Sequence, residues 1–321
     1  MTEFSSLARH AAHNGKIKVV SLFAGCGGLD LGFLGGFSFL GHKYVRNDFD
    51  VIWANEINAD ACKTYQRNIG EIVNADVNDV VAQVPSGADV VIGGFPCQDI
   101  SINGKMQGLK GKRSSLYRVM VEIVDQVKPK VFVAENVGSL MMKRHDEARS
   151  RILSDFRALG YNVSCQLYHA EDYGVPQTRE RVFIVGTRIG MPTFNPPKAV
   201  SADCPVTAEK AIGDLADRPQ DPAFSHVWSK AKPSGEQGNR RLVANRPGYT
   251  MRAECHGNIQ FHYSRSRRIS MREAARIQSF PDEFVFPVGI RSTERQIGNA
   301  VPPVLAWHVA RAVQKLFAKA K

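Results

Sequence analysis

The chain has 321 residues, 43% of them apolar, so it can bury a sizeable core and divide into about two domains. Its 42 Lys and Arg side chains outnumber its 31 Asp and Glu. The excess is uneven: residues 1–186 are almost neutral, with 21 basic and 20 acidic side chains, whereas 187–321 hold 21 basic and 11 acidic ones. This composition excludes a fibre or a disordered tail, and the basic region favours a polyanionic partner.

The cysteines and the N-terminus exclude further classes. None of the six cysteines forms a C-x-x-C pair, so neither a zinc ribbon nor a disulfide framework is indicated, and Cys255-His256 lacks further ligands at suitable spacing. Residues 1–16 lack the apolar stretch of a signal peptide, and no run of about 18 apolar residues occurs. We therefore expect a cytoplasmic protein with reduced thiols, no metal and no membrane segment.

Short apolar strands alternate with helical periodicity through the first 186 residues. A helix is predicted from Ser115 to Val127, with one apolar face, ended by Lys128-Pro129. Several strands are apolar on both faces, as in a parallel sheet covered by helices. The predicted strands are Ile17–Phe23, Val51–Ala54, Ala88–Ile92, Lys130–Ala134 and Arg181–Val185. This alternation predicts a doubly wound α/β domain.

The sequence pattern changes after Gly186, where prolines interrupt about 75 residues that have no sustained hydrophobic period. Between residues 238 and 295 the chain has eleven Arg and no Lys, which favours contact with guanine edges and phosphates over a solubilising surface. Ser270-Met-Arg-Glu273 is a capping box that opens a helix, which Pro281 closes. An amphipathic helix from Pro303 ends the chain. We predict a recognition domain at 188–296, and a catalytic domain made of 1–187 and 297–321.

A glycine-rich turn and two acids suggest a nucleotide-like ligand. Phe23-Ala-Gly25-Cys-Gly-Gly28 follows the first strand, and its glycines could admit a ligand or merely form a tight turn. Glu56 and Asp76 follow the next strands, where a ribose diol and an adenine amino group are bound in such folds. Glu56 comes too late for the dinucleotide pattern, which disfavours a nicotinamide oxidoreductase.

Candidate catalytic side chains follow or precede the later strands. Cys97, in Gly94-Phe-Pro-Cys-Gln, is a candidate nucleophile or a buried structural thiol. The glycine-rich, basic segment 99–113 has the composition of a loop that closes over an anion. Glu135-Asn136 ends the fifth strand, and Glu135 is either a proton donor or a helix-start acid. Arg179 and Arg181 precede the sixth strand and suit an anionic or carbonyl group, or pairing with Glu180.

These segments, in this order, resemble the motif series of the DNA (cytosine-5)-methyltransferases of bacterial restriction-modification systems. The resemblance covers most of the chain apart from about 190–248. Its most specific parts are the Pro-Cys97-Gln block and the terminal Gly-Asn299-Ala-Val-Pro-Pro block. The other matching segments are Phe23-Ala-Gly-Cys-Gly-Gly, Glu135-Asn-Val, Gln177-Thr-Arg-Glu-Arg, and Arg272-Glu-Ala-Ala-Arg-Ile-Gln-Ser-Phe-Pro.

The resemblance implies a Rossmann-like methyltransferase domain, binding S-adenosyl-L-methionine, beside a smaller, irregular target-recognition domain. It implies that Cys97 attacks C6 of a flipped-out cytosine, that Glu135 protonates N3 and that Arg181 binds O2. Arg179 would support the site, and Asn136 would position the Pro-Cys segment. The implied cofactor-binding residues are Phe23, Gly25, Gly28, Glu56, Ile57, Asp76, Gly94, Pro96 and Asn299.

Two departures from the family pattern concern the cofactor side. Ser21 stands where the family often has Asp, and Ile57 stands where it often has Trp, so cofactor affinity is in doubt but the chemistry is not. Segment 34–50 is longer than the connection requires and receives no role. The candidate DNA-binding residues are Gln98, Ser101, Arg240, Arg241, Thr250 and Arg252.

The expected partner is double-stranded DNA, with a cognate restriction endonuclease as a functional partner, and the expected state is a monomer. Two further functional hypotheses stay open. One keeps the fold and takes tRNA as substrate, which Phe95-Pro-Cys-Gln-Asp-Ile-Ser and the Arg-rich region disfavour. The other is an inactive DNA-binding or scaffold protein, which the intact Cys97, Glu135, Arg179 and Arg181 disfavour.

Overall fold

A seven-stranded sheet forms the centre of the computed structural model, which describes residues 16–95, 116–230, 232–233, 239–253 and 260–319. The strands are β1 (Ile17–Leu22), β2 (Phe37–Phe39), β3 (His42–Tyr44), β4 (Phe49–Glu56), β5 (Val73–Asn74), β6 (Val90–Gly94), β7 (Val131–Val137), β8 (Tyr161–His169), β9 (Gln177–Thr178), β10 (Glu180–Arg188), β11 (Arg240–Arg241), β12 (Gly248–Tyr249) and β13 (Gln260–Phe261). The order in the central sheet is β5-β4-β1-β6-β7-β10-β8.

Helices cover both faces of this sheet, as expected for a doubly wound α/β domain. The α-helices are α1 (Gly28–Leu34), α2 (Ala59–Asn68), α3 (Val77–Val80), α4 (Leu116–Val127), α5 (Asp146–Ala158), α6 (Ala208–Ile212), α7 (Met271–Ile277), α8 (Ile290–Asn299) and α9 (Pro303–Lys319). The expected helix at 115–127, the capping box at Ser270 and the final helix from Pro303 are confirmed. None of the helices in the described residues is both long and apolar enough to cross a membrane.

Alternate residues of the strands enter two separate cores. On β1, Val19 packs into the core that contains α1 and α9, whereas Val20 packs into the core that contains α4 and α5. Phe183 and Ile184 of β10 divide in the same way. The two-residue period of a strand produces this division, and it explains why these strands are apolar on both faces.

The sheet departs from an all-parallel one at its far side. Strand β10 runs antiparallel to both β7 and β8, so its first residues lie at the edge where β7 ends. The parallel expectation is therefore wrong for Arg181–Val185. Strand β8 was not predicted, because it lies at the edge of the sheet and its middle residues are only partly buried, which removes the apolar pattern.

Segment 34–50, which had no role from the sequence, forms a hairpin that packs on the last helix. Strands β2 and β3 pair antiparallel, and the Tyr44 ring meets Trp307 of α9 edge to face at 5.2 Å. The Trp307 Nε1 donates to the Val45 carbonyl at 2.9 Å, and Asn47 donates to the Phe33 carbonyl at 2.9 Å. The hairpin therefore fixes α9 against α1.

Much of the arginine-rich stretch stabilises the second region instead of facing a ligand. Arg267 pairs with the buried Glu273 through both terminal nitrogens at 2.8 Å. Arg268 pairs with Glu294, and Arg276 pairs with Asp214 and Asp282. The nucleic-acid interpretation is thus wrong for these residues. The region has little regular structure, so guanidinium groups connect its loops. The predicted 296–297 domain boundary falls inside α8, and the division into domains stays a prediction.

Arg272 is the most deeply buried of these arginines, with no exposed surface. Its guanidinium donates to the carbonyls of Phe224, Pro281 and Phe284, at 2.9, 2.9 and 2.7 Å. Burial lowers the pKa of this guanidinium to about 10. Three carbonyls from two separate loops thus depend on one side chain.

We expect Arg272→Met to lower the free energy of unfolding by about 3 kcal/mol or more, because it leaves buried carbonyls without donors. The exposed Arg265, which pairs with Asp217 at the surface, provides the matched control. Arg265→Met should unfold at nearly the wild-type urea concentration. Equal effects of the two substitutions in urea titrations followed by circular dichroism would contradict this assignment.

Candidate active site

A cleft of about 1400 Å³ opens at the carboxyl edge of the sheet. The ends of β1, β4, β6 and β7 and the first residues of β10 line it. The chain passes from β1 to β4 on one side and to β6 on the other, so the cleft lies at the topological switch point. Ligands of open α/β sheets bind at this position.

The glycine-rich turn and Glu56 meet on one side of the cleft. The Gly25 amide donates to Glu56 Oε2 at 2.9 Å, and the Asn58 amide donates to Glu56 Oε1 at 2.8 Å. Phe23 and Gly25 have φ of 54° and 57°, and a Cβ on Gly25 would meet no atom within 4 Å. The turn thus leaves open space for a ligand beside the carboxylate.

The remaining cofactor candidates lie around this space. Ile57 is 64% exposed and lines the cleft, as do Asp76 and Asn299. Asp76 also caps α3, accepting from the Asn78 amide at 3.0 Å. Gly28 lines the cleft too, but a Cβ there would lie 2.4 Å from the Val301 carbonyl, so its glycine is required by packing against the terminal block.

Glu135 and Arg181 form an ion pair on the other side of the cleft. Arg181 Nε lies 2.6 Å from Glu135 Oε1, and both residues are buried. The antiparallel pairing of β10 with β7 places Phe183 opposite Glu135 and Arg181 opposite Val137, so the two side chains extend to the same edge. Gly94 at the end of β6 adjoins them, since a Cβ there would lie 2.8 Å from Glu135 Oε2.

Burial raises the pKa of the Glu135 carboxyl above its usual value of 4.5, and the charges of Arg181 and Arg179 oppose this shift. A carboxyl with a raised pKa keeps its proton at a higher pH than an exposed one and can donate it to a base. The site therefore combines a buried carboxyl group with a guanidinium group.

Asn136 connects this pair to the segment that carries the candidate nucleophile. Its Nδ2 donates to the Phe95 carbonyl at 2.9 Å, and its Oδ1 accepts from the Val137 amide at 2.9 Å. Phe95 is the last described residue before the gap, so Pro96, Cys97, Gln98 and Ser101, together with the segment 99–113, lie outside the described residues.

Arg179 also lines the cleft, but its guanidinium group donates to backbone carbonyls. The residue is 1% exposed, and its Nη1 donates to the Met251 carbonyl at 2.7 Å. Its Nη2 donates to the carbonyls of Gly298 and Ala300 at 2.7 and 3.1 Å. Arg179 therefore joins the start of β10 to the second region and to the terminal block.

The DNA-binding candidates divide into two groups. Thr250 and Arg252 line the cleft, and Thr250 Oγ1 donates to the Thr178 carbonyl at 2.5 Å. Arg240 and Arg241 lie on the exposed β11 and are not among the residues that line the cleft. Arg241 Nη1 donates to the carbonyls of His262 and Arg265 at 2.8 and 3.0 Å.

Sequence reasoning missed several residues of the site. Gln177 was quoted within a motif but received no role, yet its Oε1 accepts from the Met251 amide at 2.8 Å and its Nε2 donates to the Ile277 carbonyl at 3.1 Å. The motif itself was the signal for this residue. Others line the cleft without any pattern that marks them: Ser139, Met142, His169, Glu171 and Ser292. Arg295, a member of the arginine-rich stretch, lines it as well.

Comparisons with known proteins show which proteins the chain is similar to. The family model described as C-5 cytosine-specific DNA methylase matches residues 17–250 and 229–315. The chain is 35% identical to the type II methyltransferase M.NgoFVII of Neisseria gonorrhoeae, over 94% of this chain and 87% of that protein. It is 32% identical to M.FnuDI of Fusobacterium nucleatum, over 93% and 94%. A solved structure from E. coli, described as a candidate prophage DNA modification methyltransferase, superposes with a TM-score of 0.70 at 24% identity, covering 94% of this chain and all of that one.

The raised pKa of Glu135 predicts how stability varies with pH. The folded carboxyl holds its proton above pH 4.5, where the unfolded one has lost it, so unfolding releases a proton in this window. The free energy of unfolding of the wild type, relative to Glu135→Gln, should therefore fall as the pH rises above 4.5 and become level beyond the raised pKa. Urea titrations across this range measure the difference, and a rise with pH would contradict the assignment.

Proposed function

The chain belongs to the C-5 cytosine-specific DNA methylase family and is a DNA cytosine-5 methyltransferase, and from that premise we propose a complete reaction for its cleft. A cytosine flipped out of duplex DNA enters the cleft, Cys97 attacks its C6, and C5 takes a methyl group from S-adenosyl-L-methionine. The observation that carries the proposal is the buried Glu135–Arg181 pair, 2.6 Å apart, beside the open space at the glycine-rich turn.

The residues present fit the cofactor. Glu56 already binds two backbone amides, which orients its carboxylate at the cleft, where it suits the two hydroxyls of a ribose. Ile57 offers an exposed apolar surface for the adenine ring, and Asp76 offers a carboxylate for the adenine amino group. Bound there, S-adenosyl-L-methionine supplies an electrophilic methyl group. Asn299, which follows the Gly298 held by Arg179, would contact its other end.

Cys97 follows Phe95 by two residues in the sequence. Asn136 holds the Phe95 carbonyl at 2.9 Å, and two residues of extended chain reach at most about 7 Å. We therefore assign the role of nucleophile in this cleft to Cys97.

The chemistry assigns one task to each group. The thiolate of Cys97 forms a bond to C6, and the electron pair of the C5–C6 double bond shifts to the C4–C5 bond. The electron pair of the C4–N3 double bond moves to N3, which takes the proton of Glu135. Arg181 binds O2 and stabilises the charge that develops on the ring. C5 then becomes nucleophilic and takes the methyl group. A water molecule then takes the C5 proton, and the electron pair of that C–H bond re-forms the C5–C6 double bond. The C6–S bond breaks to release Cys97 as a thiolate, and N3 returns its proton to Glu135.

Target selection is assigned to the second region and to the rim of the cleft. Thr250 and Arg252 are the two members of that region, among the DNA-binding candidates, that line the cleft. Gln98 and Ser101, on the segment after Cys97, would fill the space that the flipped base leaves. The named relatives are type II methyltransferases, so we assign this protein to the modification half of a restriction-modification system, acting on double-stranded DNA as a monomer.

The direct test incubates duplex DNA with the protein and S-adenosyl-L-methionine labelled in the methyl group. The wild type should transfer label to C5 of cytosine, and Cys97→Ser should lower the rate by about a thousandfold or more, because a serine hydroxyl is a much weaker nucleophile. The matched control is Cys204→Ser, since Cys204 is exposed, and it should retain the wild-type rate.

A Cys97→Ser protein that is as active as the wild type would refute the covalent mechanism. Duplex DNA containing 5-fluorocytosine adds a second readout, because fluorine cannot leave C5 as a cation. The wild type should then remain bound to the DNA after denaturation. If the label enters tRNA instead of DNA, the proposed DNA substrate is wrong and tRNA is the substrate.

A further inference from the structure

Phosphate binding by this enzyme needs cations that are not already engaged. The arginines at 267, 268, 272 and 276 form ion pairs or hydrogen bonds inside the second region. Their charges are neutralised or buried, so they add little to the attraction of a polyanion. The cations that contact DNA must therefore be sought on the edges of the cleft.

A short segment after β7 forms one such edge, which we call the rim (residues 139–145). Two turns of 3-10 helix build it, at Gly138–Met141 and Lys143–His145. Leu140 is fully buried, and Arg149 of α5 donates to its carbonyl at 3.2 Å. Met141 is directed inward, its Sδ 3.9 Å from Cys165 Sγ. The rim is thus held from below by α5 and β8.

The next three side chains of the rim are exposed. Met142 lines the cleft and is 51% exposed, which is unusual for a large apolar side chain. Lys143 and Arg144 follow it, and both are exposed. The nearby Asp146 pairs with Arg149 at 2.8 Å. Within the described residues, neither Lys143 nor Arg144 forms an ion pair with an acid, and Arg144 Nε lies 3.2 Å from His145 Nε2.

We propose that Lys143 and Arg144 bind phosphates of the DNA duplex at the rim, while Met142 packs against a sugar of the same strand. The rim would hold the duplex on the β7 side of the cleft, with Arg252 on the side of the second region. The proposal rests on the proposed function, since it assigns an additional contact surface to the same substrate. It places phosphate binding in the half of the chain whose net charge is almost zero.

The test measures duplex binding by fluorescence anisotropy at several salt concentrations. Each phosphate contact contributes about 0.9 to the slope of log affinity against log salt, so Lys143→Gln/Arg144→Gln should make the slope shallower by about 1.8. The matched control, Lys43→Gln/Lys315→Gln, removes the same charge from exposed positions on β3 and α9. Its slope should equal that of the wild type.

The outcomes separate this proposal from the proposed function. An unchanged slope in the rim variant, together with methylation of DNA by the wild type, overturns the rim assignment alone. Equal losses in the rim and control variants overturn it too, because they reveal a general charge effect. Absence of any methylation by the wild type refutes the proposed function instead. Met142→Ala should weaken binding and leave the slope unchanged, and a changed slope would contradict its assignment to a sugar.

Discussion

The site depends on one buried guanidinium group. Arg179 lies at the start of β10 and donates to the carbonyls of Met251, Gly298 and Ala300, which belong to two segments distant in sequence. A buried cation is tolerated only where its donors meet acceptors, and here carbonyls provide them. The carboxyl edge of the sheet, the Thr250–Arg252 segment and the Asn299 block are therefore held in one arrangement. A Cβ on Gly298 would lie 2.3 Å from the Ala253 amide nitrogen, so the two segments also pack directly.

The antiparallel direction of β10 makes this arrangement possible. In an all-parallel sheet, residues that precede a strand lie at the amino edge, away from the ligands. Because β10 runs against β7, both Arg179 and Arg181 begin at the carboxyl edge beside Glu135. Arg179 then holds the backbone, and Arg181 pairs with the carboxylate. Two arginines of one short motif thus have separate contacts, one with backbone carbonyls and one with the Glu135 carboxylate.

The sequence predicted what depends on local pattern. The doubly wound fold, the capping box at Ser270 and the meeting of Glu56 with the glycine turn all follow from periodicity and position along the strands. The hairpin at 37–44 was missed because it packs against Trp307, which is far away in the sequence. The arginine-rich stretch was misread because composition does not reveal whether a guanidinium meets Glu273 or a phosphate. Gln177 received no role because its partners, Met251 and Ile277, are distant in the sequence.

The cleft between Glu56 and Glu135 is the proposed site at which C5 of cytosine is methylated. Bisulfite sequencing of DNA from bacteria that express the wild type or Glu135→Gln tests it most directly, because C5-methylated cytosine resists conversion. We predict protected cytosines at one recurring sequence in cells with the wild type, and none in cells with Glu135→Gln. Fully converted DNA from wild-type cells, or equal protection by Glu135→Gln, would contradict the account.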